Sequence, residues 1–415
     1  MIYMLFNTET QRAQRCTENI FINLYEPLCS LCLCAKNKHR NNYLFILIVA
    51  LFFASCRKDI IIYPSEEEDI TNPEFTDIQG FYVLNEGNMG SNKSTLDYFD
   101  YTTGNYRRNI YGDVNPTVPK ELGDVGNDIA IYGNKLYAVI NGSNKVEVME
   151  AKTAKRIGQI NIPNCRNIIF HNGFAYVTSY AGPVEMNPEY QQVGYVAKID
   201  TTSLQIVKKC LVGQQPDGLA IANGKIYVAN SGGYLLPNYE KTVSVIDIAS
   251  FQETKKITVA INLHRVCADK NGNIWVCNRG DYYNRLPKLY CIDSQLDLVT
   301  DSINIPVSNF HLDDEKLYIV SVAWNYTTMS NEINYGVVDV ISKQIITHNF
   351  ITDNKINEIR TPYGITVNPI TKSIYVTDAK NHVTPGRLYC FDKDGKYEWD
   401  VRTGDIPAHF AFLEK

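Results

Sequence analysis

The sequence predicts an all-β chain folded as a seven-bladed β-propeller and closed by its own C-terminal strand. Three observations predict it. A short apolar-aromatic-apolar signature recurs seven times, at intervals of 39 to 57 residues. No stretch sustains a helical period. The last apolar strand has no partner downstream, and the first signature has none upstream.

The signature runs Phe81-Tyr82-Val83-Leu84-Asn85 in its first copy and Leu136-Tyr137-Ala138-Val139-Ile140 in its second. It returns at Ala175, Ile226, Ile274, Leu317 and Ile374. Repeats of this length hold four short strands each, the unit of a propeller blade. Upstream of the later signatures lies a shorter strand such as Gly218-Leu219-Ala220-Ile221, joined through Asn172-Gly173, Asn223-Gly224 or Asn271-Gly272. Asn-Gly between apolar runs marks a hairpin, because both residues tolerate positive φ. Downstream come a third strand ending in Asp200, Asp247, Asp293 or Asp392, a turn, and a fourth strand. Those aspartates are expected to brace their turns. The signature tyrosines Tyr137, Tyr176, Tyr227, Tyr318 and Tyr375 are expected to pack between blades. Residues 407–413 read as an inner strand for the first blade, which closes the ring and removes two open sheet edges.

This pattern resembles the YVTN and YncE-like propeller family, whose consensus Ile226-Tyr227-Val228-Ala229-Asn230 approaches most closely. The resemblance covers residues 78–415, the expected propeller domain. It implies the fold and leaves function open, since propellers host many activities.

Residues 1–56 read as an N-terminal extension and a lipoprotein signal peptide. A basic cluster with Lys36, Lys38 and Arg40 precedes an apolar run over residues 43–53 and the small pair Ala54-Ser55. The run is short for a membrane-spanning helix. Cys56 then resembles the lipidated cysteine of a bacterial lipobox, with Phe53 where leucine is usual. Residues 57–77 read as a flexible tether, and the acidic run Glu66-Glu67-Glu68-Asp69 as a solvated linker. An acidic stretch after the cysteine also resembles the surface-export signal of Bacteroidetes lipoproteins. Together these imply a lipid-anchored protein of the outer membrane, facing the cell surface. Cys165, Cys210, Cys267, Cys277, Cys291 and Cys390 lie in apolar patterns without zinc spacing and read as buried free thiols.

A net charge of −5 excludes the basic stripe of a nucleic-acid binder. The 28 tyrosines suit half-buried strands and ligand-facing surfaces. In a propeller, loops leaving second strands and loops entering inner strands share one face around the channel. The former are long in six repeats: residues 86–93, 180–193, 231–240, 279–287, 322–335 and 379–386. They bring Asn88, Tyr180, Tyr234, Arg279, Tyr282, Trp324 and Tyr326, with Asn230 and Asn278 at their roots. The starts of the inner strands add Asn127, Asp128, Arg166, Asp217, His264, Tyr363 and His409. Long loops gather where function is carried. Aromatic and amide groups bind ligands without reactive chemistry.

No nucleophile elbow, zinc-protease helix or phosphate loop is present, so no catalytic residue, metal ligand or required cofactor is nominated. The Asn85-Glu86-Gly87 element of the first blade, followed by Leu96-Asp97-Tyr98-Phe99-Asp100, resembles a Bacteroidetes lipoprotein propeller family, the BtuG type. That family captures cobalamin for a TonB-dependent outer-membrane transporter. The resemblance implies capture of a nutrient, a corrinoid in its sharper form. Two other classes stay open: a hydrolase or lactonase with a metal in the channel, and a surface adhesion or scaffold protein.

Overall fold

The computed structural model describes residues 66–73, 76–118, 121–187, 189–325 and 329–415; the signal segment and Cys56 lie outside them. The described residues form seven antiparallel sheets. The first holds β1 (Glu67–Asp69), β2 (Ile78–Asn85), β3 (Thr95–Asp100) and β4 (Asn105–Arg107). A short helix, α1 (Ile110–Val114), leads to the second blade. That blade comprises β5 (Gly126–Tyr132), β6 (Lys135–Ile140), β7 (Lys145–Glu150) and β8 (Arg156–Asn161). Blade three is β9 (Cys165–His171), β10 (Phe174–Ser179), β11 (Val193–Asp200) and β12 (Ile206–Gln214). Blade four is β13 (Pro216–Ala222), β14 (Lys225–Asn230), β15 (Thr242–Asp247) and β16 (Gln252–Thr258). Blade five is β17 (Leu263–Ala268), β18 (Asn273–Asn278), β19 (Leu289–Asp293) and β20 (Leu298–Ile303). Blade six is β21 (Asn309–Asp313), β22 (Lys316–Asn325), β23 (Ser330–Asp339) and β24 (Gln344–Thr347). Blade seven is β25 (Pro362–Val367), β26 (Ile374–Asp378), β27 (Pro385–Phe391) and β28 (Tyr397–Asp405). The last strand, β29 (Pro407–Glu414), returns to the first blade and pairs with β2, Val83 opposite Phe410.

The seven-bladed ring closed by the C-terminal strand therefore stands as the sequence predicts. The signature strands are buried along nearly their whole length because a neighbouring blade covers each face. Tyr137, Val139 and Val148 of blade two pack against Ala175, Val177 and Ala197 of blade three. Tyr137, Tyr176, Tyr227 and Tyr375 are all fully buried, as packing residues should be. Outer strands such as β16 face solvent and read as charged runs. Asn172 and Gly173 have φ of 46° and 80°, the doubly left-handed geometry of a type I′ hairpin turn. Asp200 accepts from the amides of Thr202 and Ser203, and Asp247 from that of Ser250. The six cysteines are free thiols, all but Cys267 fully buried.

Two segments differ from expectation. The acidic run does not lie free: β1 pairs with β4 as an outermost strand, so the first sheet begins upstream of residue 78. Arg108 forms ion pairs with Glu66 and Glu68, and Asn105 donates to Glu67 at 2.8 Å. The acidic side chains thus find partners on the edge they pair with. Residues 322–335, expected as a loop, mostly extend the β22–β23 hairpin, whose ladder continues to Asn325 opposite Ser330.

Candidate functional site

The inner strands share an irregularity that sequence does not announce. In β9, β13, β17 and β25 the ladder pairs the first residue, slips, and resumes further on: Pro216 faces Asn230, but the next pair is Leu219 with Val228. A bulge re-aims the side chain it frees. The freed second residues are Arg166, Asp217, His264 and Tyr363. In β5 the equivalent residue is Asn127.

Three of these converge from adjacent blades. Asp217 Oδ2 lies 3.0 Å from His264 Nδ1 and 3.1 Å from Arg279 Nη1, and its Oδ1 lies 3.6 Å from Arg166 Nε. Arg279 follows directly after β18, and its Nη2 approaches His264 Nε2 at 3.4 Å. The Arg166 guanidinium stands over the Tyr180 ring at 4.9 Å, and Tyr180 meets Tyr234 edge to face at 6.5 Å. Arg166, Tyr180 and Asp217 are buried.

Electrostatics assigns the protonation states. Burial opposes charge on Asp217, but Arg166, Arg279 and His264 outweigh it and hold the carboxyl well below its usual range. Burial and the Arg279 guanidinium push the His264 imidazole down to about 3, against the pull of Asp217. His264 is therefore neutral near pH 7. Its Nδ1–H donates to Asp217, leaving Nε2 to accept from Arg279. An aspartate–histidine pair of this kind supplies two of the three members of a nucleophile-activating triad. Here the position of a serine or cysteine is taken by a guanidinium.

Across the mouth stands a second cluster. Tyr363 donates its hydroxyl to Glu86 Oε2 at 2.9 Å, and His409 Nε2 lies 3.2 Å from Glu86 Oε1. His382 packs edge to face on Tyr363 at 5.8 Å. Below, a cavity of about 460 Å³ follows the channel, lined among others by Asp128, Arg265, His311 and His409. Among the described residues, no three His, Cys, Asp or Glu side chains stand close enough together to hold a metal ion.

The other nominated residues occupy different places. Asn127 donates to the Arg166 carbonyl at 2.8 Å, bracing the neighbouring bulge. Asp128 accepts from the Ile168 amide at 2.9 Å. Asn230 and Asn278 are buried: Asn230 donates to Thr242 and Ser244 in its own blade and accepts from the Gly213 amide of blade three, and Asn278 accepts from the Lys288 amide in its own blade. Asn88 is half-buried in the loop after β2, and Tyr282 is exposed on the blade-five loop. Trp324 lies in β22 opposite Asn331, and Tyr326 is outside the described residues.

Glu86, His382 and Arg265 were not nominated. Glu86 had a readable signal: it follows its second strand directly, as Tyr180 and Arg279 follow theirs.

Fold and site together define a seven-bladed β-propeller with a charged, tyrosine-walled mouth over its channel. The chain belongs to the family described as "Domain of unknown function (DUF5074)", which matches residues 79–409. Two solved structures show the fold. A quinonprotein alcohol dehydrogenase-like protein from Bacteroides thetaiotaomicron is 16% identical, with 82% of this chain and 79% of that chain covered and a TM-score of 0.53. Hydrazine synthase from Kuenenia stuttgartiensis is also 16% identical, with 65% and 77% covered and a TM-score of 0.51. No curated protein matches the chain in sequence.

Proposed function

We propose that this protein is a non-catalytic capture module that binds a small nutrient molecule at the channel mouth. The observation carrying this reading is the convergence of Arg166, Asp217, His264 and Arg279 beside Tyr180 and Tyr234, where the long loops gather. Burying such groups is costly unless something is gained. The cluster offers donors and aromatic walls but no nucleophile beside its neutral histidine, which supports binding over turnover. In this reading Cys56 carries a lipid that holds the protein at the outer membrane, and a TonB-dependent transporter receives the ligand. A corrinoid is the sharper form, resting on the first-blade resemblance.

Purified protein equilibrated with spent growth medium should retain a small molecule identifiable by mass spectrometry, and Tyr180→Ala should reduce that retention. Retention of nothing ends the capture reading. Calorimetric titration with cyanocobalamin tests the corrinoid separately; absence of heat removes it. A hydrolytic reading rests on the Asp217–His264 pair. Lactone turnover abolished by His264→Gln would favour it instead.

A further inference from the structure

The two guanidiniums at the mouth, buried Arg166 and half-buried Arg279, are unequally provided for. Arg166 is 9% exposed, yet its guanidinium makes no hydrogen bond; it has the 3.6 Å ion-pair contact with Asp217 and the face of Tyr180. Its Nε is buried without a hydrogen-bond partner, and so are Asp217 Oδ1, Gln215 Nε2 and Asn262 Oδ1 around the same opening. Buried polar groups are nearly always satisfied, and an arginine presents five donors in a rigid fork. Charge is out of balance as well. Among the described residues, Asp217 is the single carboxylate within ion-pair distance of both Arg166 and Arg279, and Glu86 is engaged by Tyr363 and His409. With His264 neutral, Arg166, Arg279 and the nearby Arg265 outnumber the carboxylates Asp217 and Glu86 by one positive charge.

The loop leaves this charge reachable. At Gly233 an added Cβ would stand 3.0 Å from Asn262 Oδ1 and 3.8 Å from Arg279 Nη1, so the absence of a side chain keeps the approach to Arg279 clear. Tyr180 and Tyr234 wall the adjoining side.

We propose that Arg166 and Arg279 form an oxyanion-recognition site, seating a carboxylate or phosphate group of the captured molecule on their unclaimed N–H donors. Asp217 is then a positioning residue that holds both guanidiniums and limits the net attraction to about one charge. This deepens the capture reading and rests on it. Arginine's planar fork matches either oxyanion, so both chemistries fit one geometry.

The test is titration of the full-length protein with sodium phosphate and, separately, sodium acetate at constant ionic strength, read by calorimetry and melting temperature. Saturable binding of one of them is expected, and which one names the group. Arg166→Met and Arg279→Met should weaken it about tenfold or more, since one charge-assisted hydrogen bond is worth at least that factor. Lys393→Gln, on an exposed turn, should bind as the wild type does. Arg166→Lys keeps the charge without the fork, and intermediate affinity is expected. If Arg166→Met does not fold, the wild-type titrations and Arg166→Lys decide. No saturable binding of either anion overturns the inference, as does an Arg166→Met protein that binds like wild type. Retention from growth medium separates the two readings: a neutral molecule held equally by wild type and Arg166→Met leaves capture standing and removes the oxyanion site. An anion that binds while nothing is retained does the reverse.

Discussion

Asp217 ties three blades together at the mouth, and much of the site's chemistry passes through it. Removing its charge strands the buried guanidinium of Arg166 and the half-buried one of Arg279. Asp217→Asn is therefore expected to cost about 3–5 kcal/mol, the usual consequence of breaking a buried ionic cluster. Urea unfolding at pH 7 measures it. The histidines set the pH response. His264 titrates near 3 in the fold and His311, lowered by its burial, near 4, against 6.5 for the free side chain. Below pH 6.5 the unfolded chain takes up protons that the folded chain refuses. Stability is thus fully present above pH 6.5 and falls on acidification toward pH 3 to 4, by up to about 1.4 kcal/mol per pH unit for each histidine. Unfolding midpoints between pH 4 and 8 should show this slope, and His264→Gln should flatten it. At this scale the sequence was legible where repeats align: Arg166, Asp217, His264 and Tyr363 stand at one blade position. It was silent on which of them touch, because contact across blades depends on the bulges. Asn230 and Asn278 carry the same amide as any ligand-binding residue, and only their burial distinguishes a brace.

Local backbone geometry decides how the loops present these side chains. Gly280 follows Arg279 with φ of 66°, and a Cβ there would overlap the Arg285 carbonyl. Gly280→Ala should destabilise by at least about 1 kcal/mol, from the left-handed strain alone. Since it adjoins Arg279, it should also weaken ligand retention; thermal unfolding and the retention assay read the two effects. Strands and hairpins were readable from sequence because alternation and Asn-Gly turns are local signals. The β22–β23 arm was not. Its polar residues Asn325, Ser330 and Asn331 look like a loop, while cross-strand pairing makes them a ladder. The bulges leave no local signature either: β5, β9, β13, β17 and β25 carry the slip, while β21 of blade six pairs with β22 in unbroken register.

The ring is fastened where blades one and seven meet. Phe81 packs against Phe99, Tyr375, Phe410 and Phe412 with ring centroids 4.8 to 6.0 Å apart. Tyr101 and Tyr375 share a hydroxyl contact of 2.6 Å, and Asn368 donates to Tyr101 at 2.8 Å. Deleting residues 407–415 removes the inner strand of blade one and exposes this cluster. The truncated protein is expected to lose its cooperative unfolding transition and become protease-sensitive, which circular dichroism and limited digestion would detect. Phe81→Ala should cost about 3–5 kcal/mol while leaving the ring assembled. The count of seven and the closing strand could be read from the repeats because each blade restates the same pattern. The upstream strand β1 could not, since its acidic residues match no repeat and find their partners only on the completed edge.

That edge strand has a mechanical meaning. Load arriving through the chain before residue 66 meets three backbone pairs and the Arg108 ion pairs first, at the perimeter and far along the sheet from the pore. A load directed away from the sheet edge would peel the strand one pair at a time, at lower force than shearing all three pairs together. Releasing β1 together with the Ile70 and Thr71 amides that the Gly104 carbonyl holds would free residues 67–77, roughly 35 Å of chain at about 3.3 Å per residue. Under such a load the edge strand would give way before the fastened ring.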